Sequence, residues 1–361
     1  MTSPIPVTIV TGFLGAGKTT LVNQLLRDPA FAGTAVLINE FGDVQIDHDL
    51  VADFSDEVIM TTTGCLCCTA SSDISQSLLD LLEKQKNETG VPFKRVIVET
   101  TGLMDPIPVL VPFLTQSGYD AKGGPLRGEF ALSRVVTLFD IVNGPNTLDY
   151  HEEALKQLAV ADVVLLTKTD LAKDPATLHD ITEDRQRILK INAEATILDR
   201  QSDWPEMQRL FLEDTAYDLR AKGEDALEWL ALEQAHDHHD HHGHGHHHHH
   251  DHDHQDSNRH GDDIHSHVII AEKPISPVAF SFFLDTLKMM LGTDLLRLKG
   301  LFALSDNPNR PLVVHGVQHL VHPVERLERW PSDDHRSKVV VIGRNIDIDA
   351  LRTILNQLEI G

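Results

Sequence analysis

Val7-Thr8-Ile9-Val10-Thr11-Gly12-Phe13-Leu14-Gly15-Ala16-Gly17-Lys18-Thr19-Thr20-Leu21-Val22 opens on an apolar run, passes through three glycines in six residues, and ends in a lysine and two threonines that lead into an amphipathic stretch. Gly12 to Thr19 fits the phosphate-binding pattern GxxxxGK[ST], in the strand-loop-helix context that pattern requires. The glycines let backbone amides curl around a β-phosphate. Lys18 brings a point charge to the β and γ oxygens, and the Thr19 hydroxyl can reach Mg²⁺. Gly12, Gly15, Ala16, Gly17, Lys18 and Thr19 are therefore candidate nucleotide contacts.

Outward from this loop, apolar runs alternate with amphipathic ones: VTIV, AVLIN, EVIM, RVIVET, RVVTLFD and DVVLLTK, separated by stretches such as TLVNQLLRD and DISQSLLDLLEK. Strands apolar throughout predict a parallel sheet buried on both faces. The run VIVETTG ends on Glu99 and continues to Gly102, where a nucleotidase needs a carboxylate near Mg²⁺ and a glycine that senses the γ-phosphate. Thr167-Lys168-Thr169-Asp170 follows the run VVLL. An aspartate there accepts hydrogen bonds from the N1 and N2 groups of guanine, which adenine does not offer, so Lys168 and Asp170 point to GTP. The segment from about Ala172 to Glu233 reads as mostly helical and completes the first domain, residues 1–235.

The 361 residues suffice for two domains, and 31 Lys and Arg against 55 Asp and Glu give a formal charge of −24. Such a surface opposes phosphate backbones and anionic lipid, which argues against nucleic acid and membranes as partners. The amino terminus carries no basic and long apolar leader, and no stretch of about 18 apolar residues follows, so the expected location is the cytoplasm. Beyond the first domain, residues 236–267 form a low-complexity linker. It holds 13 histidines between His236 and His254, among them His246, His247, His248, His249 and His250, with three more at His260, His265 and His267. Imidazoles on such a chain bind Zn²⁺, Ni²⁺, Co²⁺ or Cu²⁺ in many geometries, as a reservoir or capture arm. A solubilising linker is the plainer alternative. Residues 268–361 read as a small α+β domain with an antiparallel sheet. His151 and His335 read as surface residues.

Only three cysteines exist, Cys65, Cys67 and Cys68, all in one short span after the run EVIM. They cannot staple distant segments, but three thiols can converge on one soft or borderline ion and leave a fourth tetrahedral position open for transfer. Redox sensing is the rival reading of the same residues.

Taken in order, GFLGAGKTT, NEFGDVQID, GCLCC, ETTG and TKTD, followed by a His-rich linker and a small last domain, resemble the CobW family of P-loop GTPases. The resemblance covers nearly the whole chain. It implies an α/β P-loop NTPase domain with a mainly parallel sheet plus a smaller C-terminal α+β domain, and a GTP-hydrolysing metallochaperone that delivers zinc to a client metalloprotein. Cobalt delivery linked to cobalamin biosynthesis, metal storage, and a small-molecule kinase are the alternatives. It also implies that Gly15, Gly17, Lys18, Thr19 and Thr20 hold GTP and Mg²⁺, and that Glu99 serves the Mg²⁺ and catalytic-water region. Lys168 and Asp170 then hold guanine, and Cys65, Cys67 and Cys68 bind the cargo with Glu40 assisting. Two departures stand out: Asp43-Val44-Gln45 replaces the more usual Glu-Val-Gly, and Thr167 replaces the usual Asn of the guanine motif, which predicts weaker base affinity. No arginine finger is evident, so slow turnover is expected. The oligomeric state is open.

Overall fold

The computed structural model describes residues 4–39, 59–63, 70–87, 92–114, 126, 129–171, 181–213, 264–317, 320–321 and 325–359. Among them the first seven strands are β1 (Ile5–Gly12), β2 (Thr34–Asn39), β3 (Ile59–Thr63), β4 (Arg95–Glu99), β5 (Phe130–Asp140), β6 (Val163–Thr167) and β7 (Thr196–Asp199). They form one sheet in the order β3-β2-β4-β1-β5-β6-β7, parallel throughout. All five residues of β4 and of β6 are buried, as continuous apolar strands require when helices cover both faces.

One face packs on α1 (Lys18–Leu26), a 3₁₀ turn (Pro29–Phe31) and α7 (Trp204–Leu212), through Leu21, Leu25, Phe31, Met207 and Phe211. The other packs on α2 (Ala70–Lys86), α3 (Ile107–Leu114), α4 (Gly144–Tyr150), α5 (Glu152–Ala159) and α6 (Ile181–Ile191), through Leu78, Leu110, Leu155 and Ile188. The stretch read as mostly helical after Ala172 contains α6 and α7, and also β7, which the sequence reading did not expect. β7 is a short edge strand whose residues are only half-buried or exposed, so it lacks the apolar run that marks its neighbours.

The second sheet is antiparallel: β8 (Ile264–Ala271), β9 (Leu295–Phe302), β10 (Leu312–Val317), β11 (Leu320–Val321) and β13 (Ser337–Arg344) in the order β11-β10-β9-β13-β8, with β12 (Glu325–Arg326) on β10. β8 begins at Ile264, inside the stretch read as linker, and Ile264 to His267 pair with β13. The helices α8 (Pro277–Leu291) and α9 (Ile348–Gln357) cover one face. Ser276 and Asp347 cap them by accepting from Ala279 N and Ala350 N.

The alternation along β13 explains how the two sheets join. Val339 and Val341 face the core beneath α8 and α9, whereas Val340 and Ile342 enter the cluster that holds α2 to α6 on the parallel sheet. Leu296, Ile264 and Val317 join them there, so one apolar cluster spans both sheets. Arg297 locks that contact. Its guanidinium donates to Val160 O and Ala161 O at 2.7 and 2.8 Å and pairs with Asp162 Oδ1 at 2.6 Å. The other Asp162 oxygen accepts from Val135 N at the same junction. No helix among the described residues is long and apolar enough to cross a membrane.

Candidate nucleotide site at the carboxyl edge of the parallel sheet

The loop from Gly12 to Gly17 leaves the carboxyl end of β1, the edge at which open parallel sheets hold ligands. Gly12, Gly15 and Gly17 adopt φ values of 138°, 71° and 93°, and Gly17 caps the amino end of α1 in the left-handed region. A side chain at Gly17 would be strained there, and its absence leaves the first amides of α1 facing outward for an anion. Lys18 is buried at 8% exposure and folds over the loop, donating to Gly12 O at 2.8 Å and Phe13 O at 3.2 Å. Reaching a phosphate means exchanging those carbonyls for phosphate oxygens.

Glu99 ends β4, next to β1 in the sheet, with Val10 opposite it. Thr19 Oγ1 donates to Glu99 Oε1 at 2.6 Å, across 80 residues of sequence. A hydroxyl and a carboxylate in contact beside a phosphate loop form an oxygen donor set suited to Mg²⁺, a hard cation that binds through few protein oxygens and keeps waters and phosphate for the rest. The residues present fit that ion.

Gly102 follows at once. Thr100 ties its approach to β1 by Thr100 N to Val10 O and a hydroxyl contact with Thr11 at 2.8 Å. A Cβ at Gly102 would stand 2.6 Å from Leu14 N, so only glycine lets this loop lie against the phosphate loop.

On the other side, β5 and β6 end on Asp140 and Thr167, which face each other in register. The Thr167 hydroxyl donates to Ala16 O at 3.0 Å and Phe139 O at 3.3 Å, tying the phosphate loop to the last strands. Threonine in place of asparagine therefore still anchors the loop, which the sequence reading did not foresee. Lys168 adopts φ 60° and pairs with Asp140 at 2.6 Å. Burial alone would raise the Asp140 pKa. Hydrogen bonds from Lys168, Asn143 and Val142 outweigh it and hold the carboxyl below its ordinary value. Asp170 is exposed and accepts from Gln201 Nε2 at 2.8 Å.

Thus the structure gathers Gly12, Gly15, Ala16, Gly17, Lys18, Thr19, Glu99 and Gly102 around one loop, with Lys168 and Asp170 beyond β6. Thr20 lies in the first turn of α1 behind them. Residues that sequence reasoning missed are Asp140, Gln157, Gln201 and Arg200. Arg200 Nη1 lies 3.7 Å from where a Gly17 Cβ would stand, and another of its nitrogens donates to Gln24. His151, read as a surface residue, is exposed but sets its ring 4.5 Å from that of Phe13 in the loop. Its position one residue before an amphipathic helix gave no sign of this. Cys65, Cys67, Cys68, Glu40, Asp43 and the tract including His246 to His250 lie outside the described residues. β3 ends at Thr63, one residue before Gly64, in register with Asn39 at the carboxyl end of β2. Two strand spacings, about 10 Å, separate β3 from β4 and its Glu99.

A seven-stranded parallel sheet with this loop after its first strand, joined to an antiparallel sheet through a shared core, defines a two-domain P-loop nucleotide-binding protein. Residues 6–199 match the CobW/HypB/UreG nucleotide-binding domain and residues 264–359 match the cobalamin synthesis protein CobW C-terminal domain, so the chain belongs to the CobW family. It is 29% identical over 356 residues to the zinc chaperone YjiA of Escherichia coli, covering 97% of each chain. It is also 29% identical over 370 residues to the zinc-regulated GTPase metalloprotein activator 1 of Schizosaccharomyces pombe, covering 95% of this chain and 83% of that one. The crystal structure of Zn(II)-bound YjiA GTPase from E. coli superposes with a TM-score of 0.70 at 25% identity, over 99% of this chain and 100% of that one.

Proposed function

We propose that this protein is a GTP-hydrolysing metallochaperone that binds Zn²⁺ through Cys65, Cys67 and Cys68 and passes it to a client metalloprotein. The observation that carries the nucleotide half is the Thr19–Glu99 contact of 2.6 Å beside the glycine loop. The metal half rests on the three-thiol sequence and on relatives named zinc chaperone and zinc-regulated GTPase.

In this reading the amides at the start of α1 and Lys18 hold the β- and γ-phosphates, while Thr19 and Glu99 hold Mg²⁺. That ion neutralises charge on the transferring phosphoryl group. Gly102 lies where a γ-phosphate meets the next loop, and its amide reports whether that phosphate is present. Asp170 exchanges Gln201 for the N1 and N2 groups of guanine. β3, which the cysteine segment follows in sequence, lies two strands from β4, and in this reading nucleotide state sets metal affinity. Zinc is the cargo, and thiolate sites favour it over cobalt by intrinsic affinity. The reading places the protein in the cytoplasm, where its thiols stay reduced.

The test is a competitive Zn²⁺ and Co²⁺ titration with Mg²⁺ and either a GTP analogue or GDP, beside a variant with all three cysteines changed to serine. The expected result is tighter Zn²⁺ binding with the GTP analogue, lost in the serine variant. Equal affinity in both nucleotide states overturns gating, because a ligand without differential affinity shifts no equilibrium.

A further inference from the structure

Gln157 lies on the buried side of α5 at 1% exposure, far from the glycine loop in sequence, yet its side chain reaches the loop that carries Gly102. Its Nε2 donates to Gly102 O and to Met104 O, both at 3.1 Å. Gly102 is thus held between Leu14 of the phosphate loop on one side and this amide on the other. The amide orientation is fixed by chemistry: the reverse would set its oxygen against two carbonyl oxygens. The cost is that Gln157 Oε1 stays buried with no hydrogen-bond partner among the described residues.

The same helix grips the same loop a second time. Lys156 Nζ pairs with Asp105 Oδ2 at 2.9 Å, and Asp105 Oδ1 accepts from Ile107 N at the start of α3. Lys156 also pairs with Glu152 Oε1 at 2.8 Å, and that oxygen meets Arg344 of β13 at 2.8 Å. At the far end of α5, the carbonyls of Val160 and Ala161 receive Arg297 of β9. Thr137 Oγ1 donates to the Gln157 carbonyl at 2.7 Å and fixes the helix to β5. One helix of eight residues therefore holds the Gly102 loop through adjacent side chains and the C-terminal sheet through both of its ends.

We infer that Gln157 is a positioning residue for the Gly102 loop, and that α5 carries the state of that loop to the C-terminal sheet. The inference rests on the proposed use of GTP. When the loop closes on a γ-phosphate, the carbonyls of Gly102 and Met104 move with it and draw on Gln157, while Asp105 draws on Lys156. The helix passes both shifts to Glu152–Arg344 and to the Arg297 contact. The coupling is a contiguous set of hydrogen bonds and ion pairs between two distinct places, and it is reciprocal: disturbing the sheet end must alter nucleotide preference.

The experiment measures the affinities of the full-length protein for a non-hydrolysable GTP analogue and for GDP, both with Mg²⁺. It compares the wild type with Gln157→Met, which keeps length and removes the donors, and with Arg344→Met, which alters only the sheet end. Gln157→Met is expected to lower the ratio of analogue to GDP affinity about tenfold, with GDP affinity within about twofold of wild type as the check on folding. Arg344→Met is expected to move the same ratio about two- to threefold, although it touches no nucleotide contact. Wild-type discrimination retained in both variants, or an equal fall of both affinities, overturns this inference alone. Wild-type protein that binds neither nucleotide overturns the GTP reading and this inference with it. Should Gln157→Met fail to fold, an unchanged ratio in Arg344→Met still refutes the coupling.

Discussion

The two sheets bury apolar strands in equal earnest but place their buried polar groups differently. In the parallel sheet, besides mid-strand groups such as Arg134 and Thr137 of β5, a set of five, Thr11, Glu99, Thr100, Asp140 and Thr167, collects where strands end or just beyond, around a single loop. In the antiparallel sheet the buried charges among the described residues are Arg297, inside β9, and Lys338, near the start of β13. Lys338 pairs locally with Asp334, and Arg297 is directed at the other domain. One sheet ends its strands in chemistry, and the other spends its one mid-strand arginine on attachment. The difference teaches that the C-terminal domain is a platform fastened to the first domain, and that it supplies none of the described groups around the glycine loop.

The sharpest way to break that contrast is to remove the attachment. Arg297→Ala removes the guanidinium from Asp162 Oδ1 and from two carbonyls, at an interface where both side chains are nearly enclosed, 6% and 11% exposed. Losing one partner of a buried pair costs about 3–5 kcal/mol. Thermal unfolding should show a single transition split in two or shifted down sharply. An unchanged melting curve would mean that the apolar cluster alone holds the sheets together.

Lys18→Ala probes the opposite side of the contrast. In the proposed reading its charge serves phosphate and not the domain contact, so GTP hydrolysis should fall about 10²–10³-fold, the range for deleting one preorganised electrostatic donor. Phosphate release measures this. Hydrolysis near the wild-type rate would remove Lys18 from the site. Ser276→Ala, at the cap of α8, should cost about 1 kcal/mol of stability and leave nucleotide affinity alone, since the buried residues of α8 belong to the C-terminal domain's own core. A change in GTP affinity there would show that the platform influences the site through more than α5.

These contrasts were unequally legible in the sequence. Strands buried on both faces announce themselves as apolar runs, and the phosphate loop has its own pattern, so β1, β2, β4, β5, β6 and the Gly12–Thr19 loop could be read directly, whereas β3 runs on through Thr61 to Thr63, three polar residues that read as a loop after EVIM. β7 could not, because TILD at a sheet edge is short and half-exposed. Arg297 sits within LLRLKGLF, a run that reads as an ordinary strand, and period-2 alternation does not reveal that its second face meets another domain. Gln157 was hidden for a related reason. A glutamine on an amphipathic helix is normally solvated, and only the tertiary fold brings it to the Gly102 carbonyl. Thr167 was read as a weakened base contact because a motif compares residue names, whereas its hydroxyl keeps a hydrogen bond to Ala16 that only the fold reveals.

The smallest expected effect bears on the seam between the two sheets and follows from pH. Glu152 accepts from Lys156 and from Arg344, and those hydrogen bonds pull its carboxyl from the ordinary 4.5 down to about 2. A carboxyl depressed in the folded state favours folding when ionised. Its contribution is complete above pH 4.5, shrinks as the pH falls below that, and is gone below about 2. With its side chain 40% exposed, solvent screens the pair, so the gain stays near the surface range of about 0.2–1 kcal/mol. Wild type and Glu152→Gln should therefore differ slightly in denaturant midpoint at pH 7, and the gap should narrow steadily from pH 4.5 to pH 3. A gap that stays constant over that interval would show that Glu152 does not carry its charge into the contact with Arg344, and would weaken the link from α5 to β13 at its outer end.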